Sequence, residues 1–85
     1  MSNLKVAIIA KDKIAYEGEA DAVFAPTQTG IIEILPNHTQ LVSALAKGEI
    51  ILKIENREEK FNISGGVLEV RKKSNVIILA DIIKE

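Results

Sequence analysis

One all-β domain, a two-sheet sandwich of short strands, is what this sequence predicts, and three observations predict it. Short apolar runs recur at close spacing, and no stretch longer than about ten residues carries a strong helical period. Gly, Pro and Asn punctuate the runs, as turn residues do between strands. The apolar residues are also almost all aliphatic. Of the 85 residues 47% are hydrophobic, yet only Tyr16, Phe24 and Phe61 are aromatic, and abundant Ile, Val and Leu suit a pleated, half-buried surface. A chain of this length holds one core, so residues 1–85 read as a single domain.

The elements follow in chain order. "LKVAIIA", Leu4 to Ala10, reads as a strand ended by the charged turn Lys11-Asp12-Lys13. "IAYEGEADAVFAPT" reads as one strand, or two with a break near Gly18. "GIIEILP" is a strand running into Pro36, "HTQLVSAL" a return segment, and Lys47-Gly48 a turn. "EIILKIE" alternates clearly: Ile50, Leu52 and Ile54 face one way, Ile51, Lys53 and Glu55 the other. Asn56-Arg57-Glu58 turns the chain into "EKFNIS", with Phe61 and Ile63 inward and Lys60 and Asn62 outward. Past Gly65-Gly66, "VLEVRK" points Leu68 and Val70 inward and Glu69 and Arg71 outward, and Ser74-Asn75 leads into "VIILAD".

Charge and composition exclude several classes of function. Eleven basic against twelve acidic residues leave a net charge of −1, whereas nucleic-acid binders carry a basic excess or stripe. Arg71-Lys72-Lys73 is the one basic cluster and reads as a charged turn. The opening apolar run, Leu4 to Ala10, is interrupted by Lys5 and is too short for a signal peptide or a membrane span. With no cysteine in the chain, disulfides and thiolate metal sites are excluded, in keeping with a reducing compartment. A soluble cytoplasmic protein is the expectation.

No catalytic motif emerges. His38 is the sole histidine. Ser43 follows five residues later without the G-x-S-x-G context of a nucleophile elbow, and one imidazole does not make a metal site. Glu17, Glu19 and Asp21 alternate on one face, but a flat strand does not wrap a hard cation, so they read as a solvated face protecting a sheet edge. "SGG", Ser64 to Gly66, opens into a strand instead of a helix, so it reads as a backbone kink and not a phosphate cradle. The expectation is no enzyme, no cofactor and no metal.

What stands out is apolar surface on both faces of two strands. Ile32 and Ile34 share one face of "GIIEIL", while Ile31, Glu33 and Leu35 share the other; Ile77 and Leu79 point away from Val76, Ile78 and Ala80. Such a strand is either covered on both sides or keeps one face for another protein, and each sheet of a two-layer sandwich has only one covered face. Single surface isoleucines are also ordinary, and a curled sheet can cover them.

The residues further carry a resemblance. "YEGEADAVFAPTQTGIIEILPNHTQLVSAL", "SGGVLEV" and "VIILAD" occur in order and at compatible spacing, and over Leu4 to Asp81 the chain resembles the N-terminal β-sandwich domain of the ε subunit of the rotary proton-translocating ATP synthase. The resemblance implies two sheets with about ten strands and a non-catalytic rotor subunit. Such a subunit fastens the γ subunit to the polar loops of the c-ring, peripheral on the inner face of the plasma membrane and without direct insertion into it. It implies that Thr29, Gly30, Ile31, Glu33, Leu35 and His38 belong to a loop facing the c-ring, and that Ile77 and Leu79 face γ. Two departures accompany it. Ile31 stands where the family commonly has an acid and Glu33 where it has glycine, and His38-Thr39-Gln40 replaces His-Ala-Pro. A more apolar partner loop, or a basic residue facing Glu33, would match these changes. Many family members continue into a C-terminal helical hairpin; no such segment follows Glu85 here, whether because the sequence is a trimmed piece or because the subunit is naturally short, and in either case the expectation is no nucleotide binding and no self-inhibition by this chain. The competing expectation is a free-standing β-sandwich module that binds a peptide or small ligand at a sheet edge.

Overall fold

The computed structural model describes residues 3–83; Met1, Ser2, Lys84 and Glu85 lie outside them. Within these residues the elements are β1 (Leu4–Ala10), β2 (Lys13–Ala20), β3 (Ala22–Thr27), β4 (Gly30–Ile34), β5 (Leu41–Leu45), β6 (Gly48–Ile54), β7 (Arg57–Arg71) and β8 (Asn75–Ile82). Eight strands replace the expected ten or so, chiefly because β7 does not stop at the glycines. Its 15 residues run unbroken through Ser64-Gly65-Gly66, with a register slip between Ile63 and Gly65. A β-bulge of this kind bends a strand without ending it.

That bend organises the molecule. The first half of β7 pairs with β6, while its second half lies between β8 and β5. Hydrogen bonding is therefore continuous in the order β2-β1-β8-β7-β6-β3-β4, but the sheet folds on itself at β7 into two layers. The first layer is β2-β1-β8-β7-β5; the second is β7-β6-β3-β4. One hydrophobic cluster joins them: Leu4, Ile8, Leu68 and Ile78 from the first layer meet Val23, Ile34, Ile50 and Leu52 from the second, each fully buried. At the margin Tyr16 of β2 and Phe61 of β7 meet edge to face, 6.2 Å between ring centres.

The connections show why the chain turns where it does. Lys11 and Asp12 both take positive φ, 47° and 67°, a two-residue turn whose twist matches that of the flanking strands. The break between β2 and β3 falls at Asp21, not near Gly18. Asp21 donates its N–H to the Lys53 carbonyl (2.7 Å) and accepts the Glu55 N–H at Oδ2 (2.9 Å), so it anchors the step from one layer to the other. Gly18 stays inside β2 opposite Val6. The β6–β7 turn comes one residue earlier than expected, at Glu55-Asn56, because Ile54 pairs with Arg57; Glu55 carries the positive φ, 54°.

After β4, Leu35-Pro36-Asn37-His38 forms a turn closed by the His38 N–H on the Leu35 carbonyl, 3.1 Å. Pro36 occupies the position where its fixed φ fits, and Asn37, at φ 67°, the one that demands a left-handed residue. Asn37→Ala is expected to cost about 1 kcal/mol in urea denaturation and Asn37→Gly less, since glycine adopts positive φ freely. Equal losses would mean that this φ is not what the asparagine supplies.

Candidate functional site

Two surfaces remain apolar once the core is filled. The larger is the outer face of the first layer, and the register assembles it. Ile9 of β1 lies opposite Ile14 of β2 and Leu79 of β8; Leu79 lies opposite Val67 of β7, and Val67 opposite Ala44 of β5. A single row of apolar side chains thus crosses all five strands. Ile14 is 61% exposed, Leu79 52% and Val67 42%. The neighbouring row runs Glu17, Ala7, Ile77, Glu69, Val42, with Val42 71% exposed.

Sequence reasoning found Ile77 and Leu79 on this face, both pointing away from the buried Val76, Ile78 and Ala80. It missed Ile9, Ile14, Val42 and Val67. Alternation with Leu68 and Val70 was enough to place Val67 outside, and alternation with Leu41, Ser43 and Leu45 to place Val42. Ile14 needed the bulge between Ile8 and Ile9, which leaves Ala15 without a partner and turns Ile14 outward.

The second surface is β4, at the far end of the sheet order. Ile34 is buried and Ile32 half-buried, while Ile31 on the opposite face is 74% exposed. Thr29, Gly30, Ile31, Glu33, Leu35 and His38 do not form one loop. Thr29 and Gly30 belong to the β3–β4 turn, where the Thr27 hydroxyl donates to the Gly30 carbonyl (2.6 Å). Ile31 and Glu33 lie on the strand, and Leu35 and His38 in the turn at its other end. From Gly30 to Ile34 is about 13 Å of extended chain, so the six residues line an edge strand from end to end. Ile31 and Glu33 face outward from the second layer and Ile77 and Leu79 outward from the first. The two surfaces therefore lie back to back across the core.

The chemically suggestive residues are engaged elsewhere. His38 donates its Nδ1 proton to the Thr39 carbonyl, 2.7 Å, and the Ser43 hydroxyl points to the Ala44 carbonyl, 3.4 Å. Glu19 accepts a hydrogen bond from Asn3, 3.0 Å, and Asp21 is taken by the turn at Glu55. Among the described residues no group of three or more metal-ligating side chains converges.

The family described as the β-sandwich domain of the ATP synthase Delta/Epsilon chain matches residues 3–85. The chain belongs to this family. Relatives agree: the chain is 41% identical over 81 residues to the ATP synthase epsilon chain of Dehalococcoides mccartyi, covering 95% of this chain and 57% of that one. It is likewise 41% identical over 81 residues to the epsilon chain of Alkalihalophilus pseudofirmus, covering 95% and 60%. It thus spans somewhat more than half the length of these relatives.

Two solved structures share the fold. A chain in the Euglena gracilis mitochondrial ATP synthase, resolved with OSCP, F1 and c-ring, superposes with a TM-score of 0.91 at 21% identity, over 98% of this chain and 54% of that one. A chain in the Tetrahymena thermophila mitochondrial ATP synthase central stalk and c-ring does so with a TM-score of 0.75 at 18% identity, over 92% and 63%.

Proposed function

We propose that this domain is a non-catalytic rotor module of an ATP synthase central stalk. In this reading the outer face of the first layer seats against the γ subunit, and β4 rests on the polar loops of the c-ring. Proton-driven rotation of the ring then reaches γ through a rigid sandwich, on the cytoplasmic side of the membrane. The observation that carries the reading is the apolar row Ile14–Ile9–Leu79–Val67–Ala44, a broad face on the side away from β4. A torque-transmitting joint needs two separated contacts, and back-to-back surfaces provide them. The epsilon-chain relatives and the two rotary assemblies that contain the fold support the same reading. A ligand-binding module would present a single concave pocket instead; among the described residues the grooves are open to solvent, the one between β5 and the β7–β8 turn about 700 Å³.

The test is size-exclusion chromatography with light scattering of the domain mixed with its cognate γ subunit. Wild type is expected to form a stoichiometric complex at micromolar concentration. Leu79→Asp should abolish it, and Ile31→Asp should retain it while weakening retention on a γ–c-ring subcomplex. Absence of a wild-type complex would overturn the rotor reading and bring the binding module forward.

A further inference from the structure

Ile14, Leu79 and Val67 of the apolar row, each roughly half exposed, supply attraction on burial but little direction. A row of aliphatic side chains does little to fix the orientation of whatever lies on it. Charges at its rim can supply both attraction and orientation, and one rim is strongly asymmetric.

At the end of the first layer the β7–β8 turn carries Lys72 and Lys73. The turn is held from three sides: the Asn37 N–H donates to Ser74 Oγ (2.8 Å), the Lys5 N–H to the Ser74 carbonyl (2.9 Å), and Asn75 Nδ2 to the Lys72 carbonyl (2.9 Å). Ser74 is buried beneath it. Arg71 pairs with Glu69 at 3.2 Å, and the other ion pair of the described residues joins Arg57 to Glu59. Lys72 and Lys73 are thus exposed with no carboxylate partner among the described residues. Of the acidic residues on the same face, Glu69 is paired with Arg71, Asp81 lies towards the other end of β8 opposite Gly65, and Glu17 and Glu19 lie on β2, three strands from β7. That is about 14 Å away, beyond the screening length of about 8 Å at physiological salt. A groove of about 700 Å³ leads from the two lysines past Arg71 to Val42 on β5, where it is continuous with the apolar face.

From this geometry we infer that the groove between β5 and the β7–β8 turn receives an acidic segment of the same protein that seats on the apolar row. Carboxylates of that segment meet Lys72 and Lys73, and an apolar side chain covers Val42. Nucleic acid is a poor fit because Glu69 lines the groove and only three cations reach it. An anionic membrane fits poorly too, since two lysines alone hold a protein only weakly at its surface. The inference rests on the γ-docking reading and names the chemistry of the partner surface: acidic beside the β7–β8 turn, apolar beyond it. The lysines steer the encounter and set its orientation, and the apolar row holds the complex.

Association kinetics with γ test this at low and high salt, using wild type, Lys72→Gln/Lys73→Gln and Lys72→Glu/Lys73→Glu. The wild-type on-rate should fall as salt rises. The double Glu variant should associate at least about tenfold more slowly at low salt, with its salt dependence flattened or reversed, and the Gln variant should fall between. All three should share one thermal midpoint and one off-rate to within a few-fold. Equal on-rates and equal salt slopes would overturn the inference while leaving γ docking intact. So would lysine-dependent binding to vesicles of anionic lipid with γ association unchanged. Failure of wild type to bind γ at all would instead remove the docking reading, and this inference with it.

Discussion

Gly66→Ala is expected to remove about 3 kcal/mol or more of folding stability, the upper end of what an overpacked site costs. A Cβ at position 66 would overlap the carbonyl oxygen of Leu79 and lie 2.8 Å from the Ala80 Cα. Both are backbone atoms of β8, paired to β7 at this point through Gly66 and Ala80. Backbone in a continuous sheet cannot rotate aside as a side chain does, so β8 must separate from β7 or β7 must straighten at its bend. Either movement opens the core where Leu68, Ile78 and Ala80 meet. A domain of 85 residues holds only about 4–13 kcal/mol in total, so the variant is expected to unfold at markedly lower urea, or to be unfolded in buffer. Val67→Ala, one residue on and partly exposed, should lose less than about 1 kcal/mol. A Gly66→Ala variant as stable as Val67→Ala would show that β8 does not pass this close to the glycine.

The same glycine pair marks where sequence reasoning reached its limit. Alternation in "EIILKIE" and "VLEVRK" identified the buried Ile50, Leu52, Leu68 and Val70, because a period of two is written directly in the residues. It also showed that Ser64–Gly66 kinks the chain. Whether a kink ends a strand or carries it into a second layer depends on which strands pair on either side, and pairing is not a local property. The candidate site divides in the same way. Ile77 and Leu79 were legible on their own strand. Their union with Ile9, Ile14, Val67 and Ala44 depends on the register of four strand pairs, and on a bulge that reverses the face Ile14 would otherwise share with Tyr16. The β4 strand itself was legible in "GIIEILP"; it was the resemblance that grouped its residues with Thr29, Leu35 and His38 as one loop. Pairing with β3 holds Gly30–Ile34 extended and keeps the two ends of that group apart.

Ile78→Asp and Leu79→Asp, one residue apart, should have opposite consequences. Ile78 is fully buried, and its replacement removes an isoleucine from the core, at a cost of about 2–5 kcal/mol. It also leaves a carboxylate with no partner in an apolar interior, which costs several kcal/mol more whether the group stays charged or takes up a proton. Together these losses match or exceed the whole stability of the domain. Circular dichroism should report an unfolded chain, and loss of γ binding by that variant would say nothing about docking. Leu79 stands on the other side of the same strand, half exposed, so an aspartate there keeps its water. The unfolding midpoint should move by no more than about 1 kcal/mol. What Leu79→Asp removes is the centre of the apolar row, and a partner seated on Ile9 and Val67 to either side would have to strip a carboxylate of solvent without supplying a charge to meet it. The complex with γ should therefore weaken by at least about a hundredfold in a domain that remains folded. A folded Leu79→Asp variant that binds γ as wild type does would move the docking surface away from the first layer, and β4 would then be the face to test.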